Sequence, residues 1–177
     1  MDKEFIRLLE IFKNMKPKII LEIGTYRGGT LFCFCKLAPE DATIISIDLP
    51  FGGIKKNDLN FYITDAFKYF VKSGQKLHLV RGNSHSIESV EKLKDILQGK
   101  GIDFIFIDAD HSYEAVKKDF EIYSKFINKN GIIAFHDVAP LGENSQGSGK
   151  FWSELKSNKK LYNYKDYEEI IVAYNLF

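Results

Sequence analysis

Six short runs of apolar, mostly β-branched residues recur along this 177-residue chain, and stretches with helical spacing separate them. The runs are Lys18–Ile23, Thr43–Ile47, Lys76–Val80, Ile102–Ile107, Gly131–Phe135 and Ile170–Leu176. Runs this short and this apolar read as strands buried on both faces. The stretches between them carry apolar residues at helical intervals, as at positions 5, 8, 9, 12 and 15 of Asp2–Met15. Further helices are expected over Gly28–Leu37, through Phe70, over Ser86–Leu97 and Tyr113–Phe126, and from Phe151 to Leu155. Strand and helix in alternation predict an α/β fold, doubly wound, with a mostly parallel sheet and helices on both faces. The length fits a single domain over 1–177.

In an open parallel sheet, ligands bind outside the carboxyl ends of the strands. The residues at those ends are Gly24, Asp48, Gly82–Ser84, Asp108–His111 and His136–Asp137. This concentration of polar groups beside apolar runs is the main functional signal. The first turn reads Leu21-Glu22-Ile23-Gly24-Thr25-Tyr26-Arg27-Gly28-Gly29-Thr30. Gly24 permits a sharp turn and a close approach to the backbone. Gly28 and Gly29 open a helix whose free N–H groups suit an anionic group, with the Thr30 hydroxyl in its first turn. The Gly-x-Gly-x-x-Gly fingerprint of nicotinamide enzymes is missing here, which argues against an oxidoreductase on the same fold class. Asp48 can accept hydrogen bonds from both hydroxyls of a ribose, or form a turn before Pro50. Arg81-Gly82-Asn83-Ser84-His85 ends the third strand, where Ser84 or Ser86 can cap the next helix.

The glycine turn resembles the first motif of class I S-adenosylmethionine-dependent methyltransferases. Phe106-Ile107-Asp108-Ala109-Asp110-His111-Ser112-Tyr113 and Gly131-Ile132-Ile133-Ala134-Phe135-His136-Asp137 narrow the resemblance to small-molecule O-methyltransferases of the catechol and caffeoyl-CoA type and their sugar-modifying relatives. The resemblance implies the Rossmann-like methyltransferase fold with a seven-stranded sheet, and S-adenosylmethionine as cofactor. It implies that Glu22, Gly24 and Thr30 contact the methionine moiety, Asp48 the ribose, and Gly82, Asn83, Ser84 and His85 the adenine, with Asp108 beside the cofactor. It further implies a divalent metal, Mg²⁺ or Mn²⁺, on Asp108, His136 and Asp137. His136 departs from the pattern, because the family more often has a carboxylate there; it is a ligand, a donor behind the ligands, or a structural histidine. His111 stands where the catechol type has its catalytic lysine, so His111 and Asp108 are the catalytic candidates. An unperturbed imidazole titrates at about 6.5, which suits a general base; a helix-start role beside Ser112 is the other reading. The implied reaction is methyl transfer to a hydroxyl of a small molecule or sugar, with a metal-independent reaction or a non-catalytic cofactor-binding module as alternatives.

The remaining features constrain partners. Twenty-five basic and 24 acidic residues are spread along the chain, so no nucleic-acid footprint stands out. No signal peptide or membrane span is read, which predicts a cytoplasmic protein. A homodimer is the ordinary expectation for a soluble enzyme. Cys33 and Cys35 read as small buried hydrophobes. Asp110 is read as part of a helix cap, Trp152 as core, and Tyr162–Phe177 as a closing hairpin. Ala139–Lys150, rich in Gly and Ser, is read as a loop suited to a lid.

Overall fold

The structure, a computed structural model, describes residues 3–50, 66–138, 146–157, 163–167 and 170–174. Its helices are α1 (Lys3–Met15), α2 (Gly29–Leu37), α3 (Ile87–Leu97), α4 (Tyr113–Tyr123) and α5 (Gln146–Ser157). Its strands are β1 (Ile19–Ile23), β2 (Thr43–Asp48), β3 (Lys76–Arg81), β4 (Ile102–Ile107), β5 (Ile127–Phe135), β6 (Asn163–Tyr167) and β7 (Ile170–Tyr174). They lie in the order β3-β2-β1-β4-β5-β7-β6. Strands β1 to β5 are parallel, and β7 joins β5 antiparallel with β6 beyond it.

The apolar runs are continuous because each central strand is covered twice. On one face Leu21, Ile45, Ile105 and Ile133 pack with Leu93 of α3, Val116 of α4 and Phe151 and Trp152 of α5. On the other, Ile20, Ile44, Phe104 and Phe106 pack with Leu8 and Phe12 of α1 and Leu31 and Phe34 of α2. Here the aromatic rings interlock: Phe12 stacks on Phe34 at 4.6 Å between centroids, and both meet Phe104 nearly edge-on. Such offset and edge-on contacts add to the burial of the rings themselves.

Strand order reverses between β1 and β4, the two central neighbours. The crossovers leave this edge of the sheet in opposite directions, so a crevice opens above the ends of β1, β2 and β4. Several boundaries differ from the expectations above. Strand β5 begins at Ile127, and its register shifts opposite Ile102 and Phe104. Helix α5 begins at Gln146, so the second part of the Gly- and Ser-rich segment is helical. Residues 139–145 lie outside the described residues, as do 51–65, where most of the loop after Leu49 and of the helix running to Phe70 was expected. Phe67–Tyr69 forms a single 3₁₀ turn. No helix among the described residues is long and apolar enough to cross a membrane.

Candidate active site

The glycine turn is shaped by contact with the next strand. Gly24 has φ +88°, and a Cβ there would stand 2.1 Å from the carbonyl oxygen of Asp108. Only glycine allows the ends of β1 and β4 to lie this close while leaving the space above them open. Tyr26 also adopts positive φ, at 46°. Its backbone N–H donates to Asp48 Oδ2 at 3.0 Å, while the Leu49 N–H donates to Asp48 Oδ1 at 2.8 Å. The carboxylate at the end of β2 is therefore held in place by backbone donors before any ligand arrives.

Above these strand ends lies a cavity of about 530 Å³. Gly24, Tyr26, Asp48 and Leu49 form one wall, Gly82–His85 another, and Asp108–His111 with Asp119 the third. Of the residues expected to hold a cofactor, Gly24, Asp48, Gly82, Asn83, Ser84, His85 and Asp108 all line it. Glu22 and Thr30 are placed elsewhere. Thr30 sits half-buried in the first turn of α2, and Glu22 is fully buried beneath the turn. Burial pushes the Glu22 carboxyl well above its usual range; the Thr25 hydroxyl opposes this, and the charges of Asp108 and Asp48 reinforce it. Its oxygens make no well-aligned hydrogen bond among the described residues. Around it the Thr25 and Ser46 hydroxyls are 2.5 Å apart, and Arg81 donates to Ser46 at 3.4 Å.

The other expected residues form a cluster of alternating acids and imidazoles. His136 Nδ1 lies 3.2 Å from Asp108 Oδ1 and 3.1 Å from Asp137 Oδ1. His111 Nε2 lies 3.5 Å from Asp137 Oδ2. All four side chains are about one-quarter to one-third exposed. Asp137 has φ 53°, an uncommon conformation for a residue with a side chain, and one that tends to occur at functional sites. Asp110, beside His111, does serve a helix start: its carboxylate accepts from the Ser112 N–H at 2.8 Å, which holds it below the usual range. Ser112 is the first residue of the α4 cap, so His111 stands just outside the helix and is free of its ladder.

Among the described residues, no group of three or more His, Cys, Asp or Glu is arranged to hold a metal ion. The Nδ1 of His136 stands between the two carboxylates, at ion-pair distance from each. The expected ligands are thus neighbours, but they are not gathered around an open centre.

Two further residues that line the cavity escaped the sequence reading. Asp119 on α4 is 1% exposed yet borders the cavity. Its signal was an acid on the helix face that also carries Ala115, Val116 and Tyr123. Tyr26 contributes mainly through its backbone, which sequence spacing cannot reveal.

A model described as a methyltransferase domain matches residues 21–138. Among known proteins, the chain is 31% identical over 142 residues to probable caffeoyl-CoA O-methyltransferase 3 of Dictyostelium discoideum, covering 78% of this chain and 50% of that one. It is 34% identical over 122 residues to the uncharacterized protein R132 of Acanthamoeba polyphaga mimivirus, covering 66% and 50%. The chain thus spans about half the length of these relatives. Among solved structures, an O-methyltransferase from Bacillus cereus in complex with S-adenosylhomocysteine superposes with TM-score 0.69 at 17% identity, covering 97% of this chain and 79% of that one. The O-methyltransferase TomG from Streptomyces achromogenes, in complex with S-adenosylmethionine, gives 0.68 at 16%, covering 99% and 81%. The fold is that of the S-adenosylmethionine-dependent O-methyltransferases. The chain itself belongs to the methyltransferase-domain family.

Proposed function

We propose that this chain transfers a methyl group from S-adenosylmethionine to a hydroxyl of a small molecule or sugar. One observation carries the reading: a single cavity joins the Gly24 turn, the Asp48 carboxylate and the Gly82–His85 segment to Asp108 and His111, the near members of the acid–imidazole cluster. The residues fit the cofactor. A Cβ at Gly24 would press into the Asp108 backbone beneath the cradle, and Asp48, held on the cavity wall by two backbone donors, would accept from a pair of ribose hydroxyls. Gly82–His85 would hold the adenine, and Asp108 and the Gly24 turn the methionine end. When bound, the sulfonium supplies an electrophilic methyl group to an incoming oxygen.

The chain's own residues supply position and proton transfer. Holding the hydroxyl against the reacting carbon provides much of the rate, because it replaces an encounter with a fixed geometry. As the oxygen attacks, its proton passes to His111, and Asp137 at 3.5 Å stabilises the imidazolium that forms. His136 in turn stands between Asp108 and Asp137, the acids just past the ends of β4 and β5. The relative named as a probable caffeoyl-CoA O-methyltransferase supports an oxygen acceptor.

A second reading adds a divalent cation. Its support is the spacing of the donors: His136 Nδ1 is 3.2 and 3.1 Å from the two carboxylates. Adjacent ligands on an ion with bonds of about 2.1 Å are about 3 Å apart. In that reading Asp108, His136 and Asp137 would hold the ion. It would supply a lowered pKa to the acceptor hydroxyl.

Calorimetric titration with S-adenosylhomocysteine tests the cofactor assignment. Wild-type protein should bind it, and Asp48→Ala should weaken binding about 10- to 100-fold, the range for losing hydrogen bonds to a charged group. Unchanged affinity in that variant would sink the placement. Transfer of labelled methyl to a panel of phenols and sugars, with and without chelator, then separates the two readings of the base.

A further inference from the structure

The far wall of the cavity holds a buried acid that the transfer chemistry does not use. Asp119 is 1% exposed on a helix face otherwise given to packing. A carboxylate is not buried without partners except at considerable cost. Burial does push its carboxyl upward, opposed by the Ser84 hydroxyl and by His85. The Oδ1 of Asp119 lies 3.2 Å from Nε2 of His85, an ion-pair distance slightly off the line of a good hydrogen bond. One turn later on the same helix, the Tyr123 hydroxyl donates to the Ser84 carbonyl at 2.6 Å. Helix α4 therefore grips the turn after β3 at two points.

Asn83 Oδ1 accepts from the His85 N–H, Asp110 Oδ1 from the Ser112 N–H, and the Ser84 carbonyl from Tyr123. In the tautomer with its hydrogen on Nε2, His85 points that hydrogen at Asp119 and carries a lone pair on Nδ1. Adenine carries an amino donor at C6. A 6-oxo purine places an acceptor there instead.

We propose that Asp119 and His85 form a purine-reading pair, in which Asp119 keeps the His85 proton on Nε2 so that Nδ1 accepts from the amino group of adenine. His85 touches the base and Asp119 acts through it, as a positioning residue. The inference rests on the cofactor reading given above. It adds that the site rejects a purine whose amino group has become a carbonyl, because two acceptors would then face each other unpaired.

Titrating wild-type protein with S-adenosylhomocysteine and with its 6-oxo analogue, S-inosylhomocysteine, tests both levels separately. The adenine form should bind at least about tenfold more tightly. Asp119→Leu, similar in volume, and His85→Phe, which keeps an aromatic ring against the base, should each reduce that ratio to near one. Circular dichroism and melting curves identify any variant that has not folded, and His85→Phe, at the cavity surface, provides the result if Asp119→Leu fails. Equal losses for both ligands, with the ratio preserved, would show a purely structural pair and overturn the proposal. Binding of both ligands by wild type with equal affinity would also overturn it while leaving the cofactor reading intact. Binding of neither would remove the cofactor reading and this inference together.

Discussion

A side chain at Gly147 would collide with the backbone of His111: a Cβ there would stand 2.2 Å from the His111 carbonyl oxygen. The same carbonyl lies 3.4 Å from the Ser148 hydroxyl, itself 1% exposed. The first turn of α5 thus presses directly on the segment that carries the proposed base. Gly147→Ala should force that segment to move. A displacement of about 1 Å can cost about 100-fold in rate, so kcat should fall by about 10- to 100-fold while affinity for S-adenosylhomocysteine changes by less than about threefold. Steady-state kinetics paired with calorimetry measure both; a loss confined to affinity would place the effect elsewhere.

The corresponding contact at Gly24 acts on the cavity floor. Its φ of +88° and the 2.1 Å approach to Asp108 leave no place for a methyl group. Gly24→Ala should destabilise the fold by about 1–3 kcal/mol, as overpacking and backbone strain do, and should abolish cofactor binding. Chemical denaturation and titration would show this; a variant of normal stability and affinity contradicts the geometry.

Glu22 predicts a pH dependence. Its carboxyl is raised in the folded state, chiefly by burial. The unfolded chain therefore gives up this proton more readily than the folded one. The group's contribution is complete below the ordinary glutamate pKa of about 4.3 and is lost as pH rises toward the folded value. Relative to Glu22→Gln, wild-type protein should lose stability as pH rises above the ordinary glutamate value of about 4.3. Melting curves of both proteins from acid to neutral pH provide the comparison, and parallel profiles would show that folding does not raise the Glu22 pKa.

Cys35 should be chemically silent. Burial, followed by the nearby Glu22 charge, pushes its thiol up to about 12. At pH 8 only about one molecule in ten thousand would carry the reactive thiolate. A disulfide-exchange reagent should leave Cys35 intact in the native protein and modify both cysteines after unfolding. Rapid native labelling of Cys35, located by mass spectrometry, would contradict the packing of α2 against β1 and β2.

The strands were legible because helices cover the sheet twice, which leaves runs such as Ile102–Ile107 almost free of polar residues. The strand-end residues were legible for the same reason, since a polar group directly after a buried run needs a purpose. Strand β5 was read short because Asn128, Lys129 and Asn130 at its start are exposed and polar. The start of α5 was read as loop because Gly147, Ser148 and Gly149 are weak helix formers; its packing against the His111 segment overrides that preference.

The order of apolar runs and the residues that end them determined the fold class and the rim of the cavity, because burial and chain direction are local properties of a sequence. Tertiary structure alone decided that His136 stands between Asp108 and Asp137, that Asp119 backs His85, and that Glu22 lies under the floor. Each of those relationships joins side chains from different elements across a few ångströms. Such distances are fixed by how helices and strands pack, and no spacing along the chain encodes them.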